Sequence, residues 1–147
     1  MINFLSLPNA IAYIIGSDKA PRLSGQVEFY QKNGFVLITA KINGLPKTNT
    51  GFFGFHIHEG NSCTGKDFAD TKNHYNPSKA PHPRHAGDLP PLLYSNGSAY
   101  LAFSTDRFTV NDTVGKTVVI HNSPDDFTSQ PSGNAGTKIG CGVIKRR

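Results

Sequence analysis

The stretch Gly54-Phe55-His56-Ile57-His58-Glu59-Gly60 decides the fold of this chain. Residues two apart on a β-strand project to the same face, so His56 and His58 are expected to stand side by side. Phe55 and Ile57 then point to the opposite face, into a core. The pattern predicts a strand that offers an apolar face to the fold and an imidazole face to chemistry.

The remaining histidines lie where they can reach that imidazole face. The segment after the strand is rich in Gly, Pro, Ser and Asn, which argues against regular structure. It nevertheless carries three histidines and ends in an aspartate, namely His74, His82, His85 and Asp88. We therefore expect this loop to be ordered by something that it binds. The sixth histidine, His121, ends a second strand-like run at residues 117–120 and is placed to reach the same face.

This set of side chains indicates a metal centre. A His-x-His pair alone is weak evidence, because surface histidines often pair by accident. Here all six histidines of the chain fall into two strand ends and one loop. Imidazole is the commonest metal ligand and combines with carboxylate in many zinc and copper sites. Six imidazoles and a carboxylate exceed the four ligands of a usual zinc centre, so the sequence predicts more than one metal.

Short alternating segments on both sides of this region predict an all-β protein. Residues 25–31 and 35–43 alternate apolar and polar side chains around Lys32-Asn33-Gly34, a hairpin signal. Eight such segments are typical of an eight-stranded Greek-key β-barrel or sandwich, here with two long loops. We expect residues 88–93 to form a partial edge strand because they include two prolines. Residues 114–121 are expected to form a full strand after an irregular connection.

Length and charge restrict the class of protein. With 147 residues and no repeat or linker, the chain is predicted to form one domain over residues 1–147. Fifteen basic residues against ten acidic ones give a charge of +5 with neutral histidines. There is no long basic run, so we expect no nucleic acid partner, whereas the charge favours the approach of small anions. No run of about 18 apolar residues occurs, so no membrane span and no membrane partner are expected.

The N-terminus and the cysteines bear on the compartment. The first ten residues have no basic residue before their apolar part and no convincing cleavage site, which is not typical of a secretory signal. We expect a cytoplasmic protein or an exported protein in its mature form. Cys63 and Cys141 would close a ring of roughly 78 residues as a disulfide, worth about 4–5 kcal/mol in the chain-entropy model. The cytoplasm keeps thiols reduced, so composition alone leaves both a disulfide and two buried thiols open.

Four stretches of the chain resemble the copper-zinc superoxide dismutase family. They are Gly-Phe-His-Ile-His-Glu at 54–59, His-Tyr-Asn-Pro at 74–77, His-Ala-Gly-Asp-Leu at 85–89 and Gly-Asn-Ala-Gly-Thr-Lys-Ile-Gly-Cys-Gly-Val-Ile at 133–144. The match extends from about Ala10 to Ile144, and the four motifs together are highly specific. The resemblance implies an eight-stranded Greek-key β-barrel whose two long loops cover a pair of metals.

The resemblance also implies a role for each site residue. Copper would be held by His56, His58, His74 and His121. Zinc would be held by His74, His82, His85 and Asp88. His74 would then be an imidazolate bridge between the two metals. Asp125 matches the family's outer carboxylate, which hydrogen-bonds one histidine of each metal and fixes its orientation. Cys63 and Cys141 match the family's internal disulfide.

The activity that the resemblance implies is that of an antioxidant oxidoreductase. It would convert superoxide to dioxygen and hydrogen peroxide, with copper and zinc as cofactors. His74 would take up and deliver a proton, and Lys138 would attract superoxide. The family usually has arginine at the position of Lys138. Because an ammonium is compact and mobile where a guanidinium is a rigid fork, we expect reduced turnover.

The alternative is a copper-binding or copper-delivery module of the same fold with weak turnover, which Lys138 slightly favours. A zinc-only structural protein would leave His56, His58 and His121 without a task. Members of the family dimerise through different surfaces. A homodimer is therefore compatible with the sequence, although no exposed stripe predicts its interface.

Overall fold

The computed structural model describes residues 6–147, so the first five residues of the N-terminal segment lie outside the described part. The strands are β1 (Ala10–Gly16), β2 (Ser24–Gln31), β3 (Val36–Asn43), β4 (Phe52–Phe53), β5 (Phe55–His58), β6 (Leu92–Leu93), β7 (Ala99–Thr105), β8 (Thr117–His121) and β9 (Lys138–Arg146). A helical turn, α1 (Val110–Thr113), and a 3₁₀ segment, Lys66–Thr71, complete the regular structure of these residues. No helix within residues 6–147 is long and apolar enough to span a lipid bilayer.

Seven strands form one curled antiparallel sheet in the order β5-β8-β9-β1-β2-β3-β7. β4 and β5 are separated at Gly54, whose N–H donates to Ser123 O and whose carbonyl accepts from His121 N. β4 therefore pairs with β6 while β5 pairs with β8. With β4 and β5 counted as one strand, the prediction of an eight-stranded Greek-key barrel or sandwich is confirmed. β6 is the partial edge strand that the two prolines predict.

The two faces of the strands separate as the alternation predicts. Val27 and Phe29 of β2 and Ile38 of β3 are fully buried. Phe55 and Ile57 are also fully buried, so the apolar face of β5 packs into the same core. Burying an apolar side chain of this size stabilises the fold by about 1.5–3 kcal/mol. This packing holds in place the strand that carries the first two histidines.

The strand predicted over residues 114–121 is wrong at its start, because β8 begins only at Thr117. The preceding connection contains the helical turn α1 instead. Thr109 Oγ1 accepts from Asp112 N, while the Asp112 carboxylate accepts from Thr109 N. This capping box stabilises the helical turn. Gly115 follows with a φ of 88°, a left-handed conformation that delays the return to extended backbone.

A disulfide between Cys63 and Cys141 ties the loop after β5 to β9. Composition left the choice between a disulfide and two thiols open, and the bond implied by the resemblance is confirmed. The two cysteines are 78 residues apart in the chain. The bond therefore holds the start of the histidine-bearing loop against the strand that begins at Lys138.

Candidate metal centre

The loop between β5 and β6 lies along the free edge of β5, in the place of a neighbouring strand. Ile57 N donates to Gly87 O, and Ile57 O accepts from Tyr75 N, each at 2.8 Å. A Cβ atom at Gly87 would lie 2.3 Å from Ile57 O. Glycine is therefore required at this position for the loop backbone to approach the strand so closely.

This edge pairing brings loop side chains beside the strand histidines. His56 pairs with Asp88, and His58 pairs with His74, in isolated antiparallel bridges. On its other side β5 pairs with β8, which ends at His121. The imidazole face predicted for β5 is buried beneath the loop, with His56 fully buried and His58 nearly so.

All seven side chains predicted as metal ligands come together in two adjoining groups. In each group, one ligand atom per residue lies within 4.8 Å of the others. The first group is His56, His58, His74 and His121, and the second group is His74, His82, His85 and Asp88. The two four-residue sets therefore share one ring, that of His74. Their roles as ligands stay a prediction.

In the first group, two ring nitrogens that each carry a lone pair, His58 Nε2 and His121 Nε2, lie next to each other. His58 Nδ1 lies 2.8 Å from Lys72 O, and His121 Nδ1 lies 3.0 Å from Gly136 O. A carbonyl oxygen only accepts hydrogen bonds, so each Nδ1 carries the ring proton and each Nε2 carries a lone pair. The two Nε2 atoms are 3.2 Å apart. Two acceptors at this distance repel each other unless a cation or a proton lies between them.

Asp125 contacts one histidine of each group. Its Oδ2 lies 2.8 Å from His56 Nε2, and its Oδ1 lies 2.8 Å from His82 Nε2. An ionised carboxylate only accepts, so both rings carry their proton on Nε2. Both Nδ1 atoms are buried without a hydrogen-bond partner within residues 6–147. His82 Nδ1 comes within 3.1 Å of Asp88 Oδ2, but no hydrogen bond forms there. Buried acceptors left in this way cost about 1–3 kcal/mol each and indicate a binding site.

His74 lies between the two groups. Its Nδ1 is 2.8 Å from Asp88 Oδ1 and 3.3 Å from His85 Nδ1. Its Nε2 is buried and, among the described residues, has no hydrogen-bond partner. The ring stacks on that of His56 with the centroids 3.9 Å apart. One nitrogen of His74 therefore faces the second group, and the other is left for the first.

Burial keeps the imidazoles of His56, His58 and His121 neutral. It lowers the pKa of His56 to about 4, against the opposing effect of the hydrogen bond to Asp125, and it lowers the pKa of His121 to about 3. Burial also holds the pKa of His58 well below its usual range. For Asp125, burial raises the pKa, but hydrogen bonds from His56 and His82 outweigh it and the net pKa is well below the usual range. Neutral imidazole is the form that binds metals.

The two groups fit different metal ions. The first offers four imidazole nitrogens, which suits copper. The second offers three imidazole nitrogens and one carboxylate, a set that suits tetrahedral zinc. The unpaired nitrogens of His56, His74 and His82 are the atoms that such ions would satisfy. Sharing His74 would give each ion four ligands and would leave none of the seven residues over.

Lys138, the predicted anion-attracting residue, lines a cleft together with His58 and His121. Its Nζ donates to Thr71 Oγ1 at 2.8 Å and to Lys72 O at 2.9 Å. Burial lowers the pKa of Lys138. The sequence suggests a mobile ammonium, but two hydrogen bonds hold this one in place.

Two residues of the second long loop that the sequence analysis did not single out also support the site. Gln130 Oε1 accepts from His82 N at 2.9 Å, and its Nε2 donates to His82 O at 2.7 Å. Gly133 has a φ of 74°, and a Cβ there would lie 2.0 Å from Asp125 Oδ1. Gly133 is the first residue of the motif at 133–144 that resembles the family, so the sequence does carry a signal for its importance. Gln130 acts across 48 residues and has no local signal in the sequence.

An all-β barrel with two adjoining groups of potential metal ligands that share His74 is the arrangement expected of a binuclear metalloprotein. A family model described as "Copper/zinc superoxide dismutase (SODC)" matches residues 23–144. Superoxide dismutase (Cu-Zn) 1 of Aquifex aeolicus is 36% identical, covering 82% of this chain and 79% of that protein. Superoxide dismutase (Cu-Zn) 3 of Arabidopsis thaliana is 35% identical, with 92% and 88% covered. The chain therefore belongs to the copper-zinc superoxide dismutase family, and the resemblance carried by the four motifs is confirmed.

Proposed function

We propose that this protein is a superoxide dismutase that converts two superoxide anions and two protons to dioxygen and hydrogen peroxide. The proposal rests on the two groups of predicted ligands that share His74. It also rests on relatives of the chain that are named for this activity. Pulse radiolysis of the copper- and zinc-loaded protein tests it, and superoxide decay is expected to accelerate in proportion to protein concentration. A rate no faster than that of free superoxide would contradict the proposal. Ready loss of copper to a chelator would then select the copper-binding module.

The geometry supports one metal in each group. Copper would be held by His56, His58, His74 and His121. Zinc would be held by His74, His82, His85 and Asp88. Copper, when bound, supplies the one-electron oxidation and reduction of superoxide, whereas zinc has no accessible second oxidation state.

The protein's own residues handle the protons and the ligand orientation. His74 Nε2 takes up a proton in one half-reaction and delivers it to the peroxide in the other. Asp125 holds the rings of His56 and His82 in the tautomer that leaves each Nδ1 free. An outer carboxylate of this kind fixes ring orientation and raises ligand basicity.

Lys138 supplies charge to the cleft through which a small anion reaches the first group. Lys72 and Glu59 line the same cleft, so it holds two cations and one anion. The excess of positive charge attracts superoxide over a range set by the ionic strength. Activity is therefore expected to fall as salt is added.

Replacing Lys138 by glutamine is expected to lower kcat/KM for superoxide about tenfold and to weaken its dependence on ionic strength. The variant loses a cation of the cleft. Pulse radiolysis over a series of salt concentrations measures both effects. Lys145→Gln is the matched control, because it removes one exposed charge from the same strand, β9. Equal rates in Lys138→Gln and Lys145→Gln would contradict a local role for Lys138.

Asp125→Asn is expected to weaken the binding of at least one of the two metals, by about 10–100-fold. The amide NH₂ of the variant faces a ring N–H, so one of the two histidines loses its acceptor. Competition with chelators of known affinity measures the change. Asp126→Asn is the control, since the carboxylate of this exposed neighbour accepts from Thr128 N and Ser129 N within its own turn. Unchanged affinities for both metals in Asp125→Asn would exclude this role.

The compartment and the assembly are proposed from the sequence alone. A cytoplasmic location, a homodimer and the absence of nucleic acid and membrane partners stay predictions. Sedimentation equilibrium tests the dimer, for which the mass is expected to be twice the chain mass of 15.9 kDa.

A further inference from the structure

The ammonium of Lys138 has a buried hydroxyl as one of its two hydrogen-bond partners. Thr71 is fully buried, and its Oγ1 donates its only proton to Phe68 O at 2.8 Å. Toward Lys138 Nζ, also at 2.8 Å, the hydroxyl can therefore act only as an acceptor. A hydrogen bond from a charged donor is roughly twice as strong as a neutral one.

The second partner links the ammonium to a histidine of the first group. Lys72 O accepts from Lys138 Nζ at 2.9 Å and from His58 Nδ1 at 2.8 Å. A carbonyl oxygen has two lone pairs, and both are engaged here. The ammonium and the His58 ring are therefore fixed relative to each other through one backbone atom.

Two of the three N–H donors of Lys138 are occupied in this way. Within residues 6–147 the third has no acceptor, and Lys138 lines the cleft shared by His58 and His121. A lysine on a flexible stem normally samples many positions. With two fixed acceptors its remaining donor is restricted to a small region of the cleft.

We infer that Thr71 is a positioning residue, whose hydroxyl fixes Lys138 so that one N–H stays available to a small anion in the cleft. The inference rests on the proposed function for its kinetic consequence. The contact with Lys72 is a backbone contact that any residue could provide. The contact with Thr71 depends on its side chain, so substitution can remove it.

Three variants separate positioning from simple loss of stability. Thr71→Val removes the hydroxyl and keeps the shape of the side chain. Thr71→Ser keeps a hydroxyl at this position. Thr113→Val is the matched control, because Thr113 is also fully buried and its Oγ1 donates to a carbonyl three residues earlier, Val110 O, at 2.9 Å.

The first measurement does not depend on activity. Nitrogen relaxation of the Lys138 ammonium in the zinc- and copper(I)-loaded protein, which is diamagnetic, reports the motion of Nζ. Thr71→Val is expected to increase this motion, whereas Thr71→Ser and Thr113→Val are expected to leave it as in the original protein. Azide titration of the copper(II) form measures the affinity for a small anion, which is expected to fall about three- to tenfold in Thr71→Val.

The kinetic measurement is kcat/KM for superoxide by pulse radiolysis. Thr71→Val is expected to lower it about three- to tenfold, and Thr71→Ser is expected to stay within about twofold of the original protein. Unchanged ammonium motion and azide affinity in Thr71→Val would overturn the inference, and so would equal losses in Thr71→Val and Thr113→Val. A protein without any dismutation would contradict the proposed function alone, because ammonium motion and azide affinity still decide the role of Thr71.

Discussion

Replacing His74 by alanine is expected to weaken both metal sites at once, each by more than about 100-fold. Each four-residue group would lose one of its four predicted ligands, and even the loss of an outer partner costs about 10–100-fold. Elemental analysis after dialysis against graded chelators measures both metals in one sample. Dismutation is expected to fall by a similar factor or more.

Two single-group variants provide the comparison for His74→Ala. His58 belongs only to the first group and His85 only to the second. His58→Ala is therefore expected to weaken copper far more than zinc, and His85→Ala the reverse. Loss of only one metal in His74→Ala would contradict a shared ring.

Removing the disulfide by the double substitution Cys63→Ser and Cys141→Ser is expected to lower the free energy of unfolding by about 4–5 kcal/mol. The bond closes a loop of 78 residues, which restricts the unfolded chain strongly. Urea unfolding of the metal-free protein measures this, because bound metals would add their own stabilisation. The original protein with its disulfide reduced by a reducing agent is the matched control and should show the same loss of free energy of unfolding. A loss below about 1 kcal/mol in both would contradict the chain-entropy estimate.

The disulfide also bears on the metal centre. It holds the start of the loop that carries Thr71 and Lys72, and both residues contact Lys138 on β9. In the double variant this loop is expected to move more freely. The metal affinity of the double variant should therefore fall, in addition to its stability.

The strand faces could be predicted because a β-strand alternates its side chains with a period of two. Phe55 and Ile57 enter the core while His56 and His58 face the site. The number and spacing of the histidines indicate a metal centre, because six imidazoles at two strand ends and one loop rarely arise by chance. The break at Gly54 could not be predicted in this way, because it depends on hydrogen bonds to residues far along the chain.

The contacts that tune the site depend on long-range geometry. Gln130 holds the backbone of His82 through both of its amide atoms, yet one glutamine in a polar loop resembles any other. Thr71 and the carbonyl of Lys72 meet Lys138 across more than 60 residues. Motifs and periodicity therefore predict which side chains carry chemistry. They do not predict what holds those side chains in place.

The most direct test of the shared ring is electron paramagnetic resonance of the protein with copper(II) in both groups. Two copper(II) ions held by opposite nitrogens of the His74 imidazolate are expected to be exchange-coupled. The signal of isolated copper(II) should then be lost. His74→Ala, loaded to the same stoichiometry, provides the uncoupled reference. Two independent copper(II) signals of full intensity in the original protein would contradict the account.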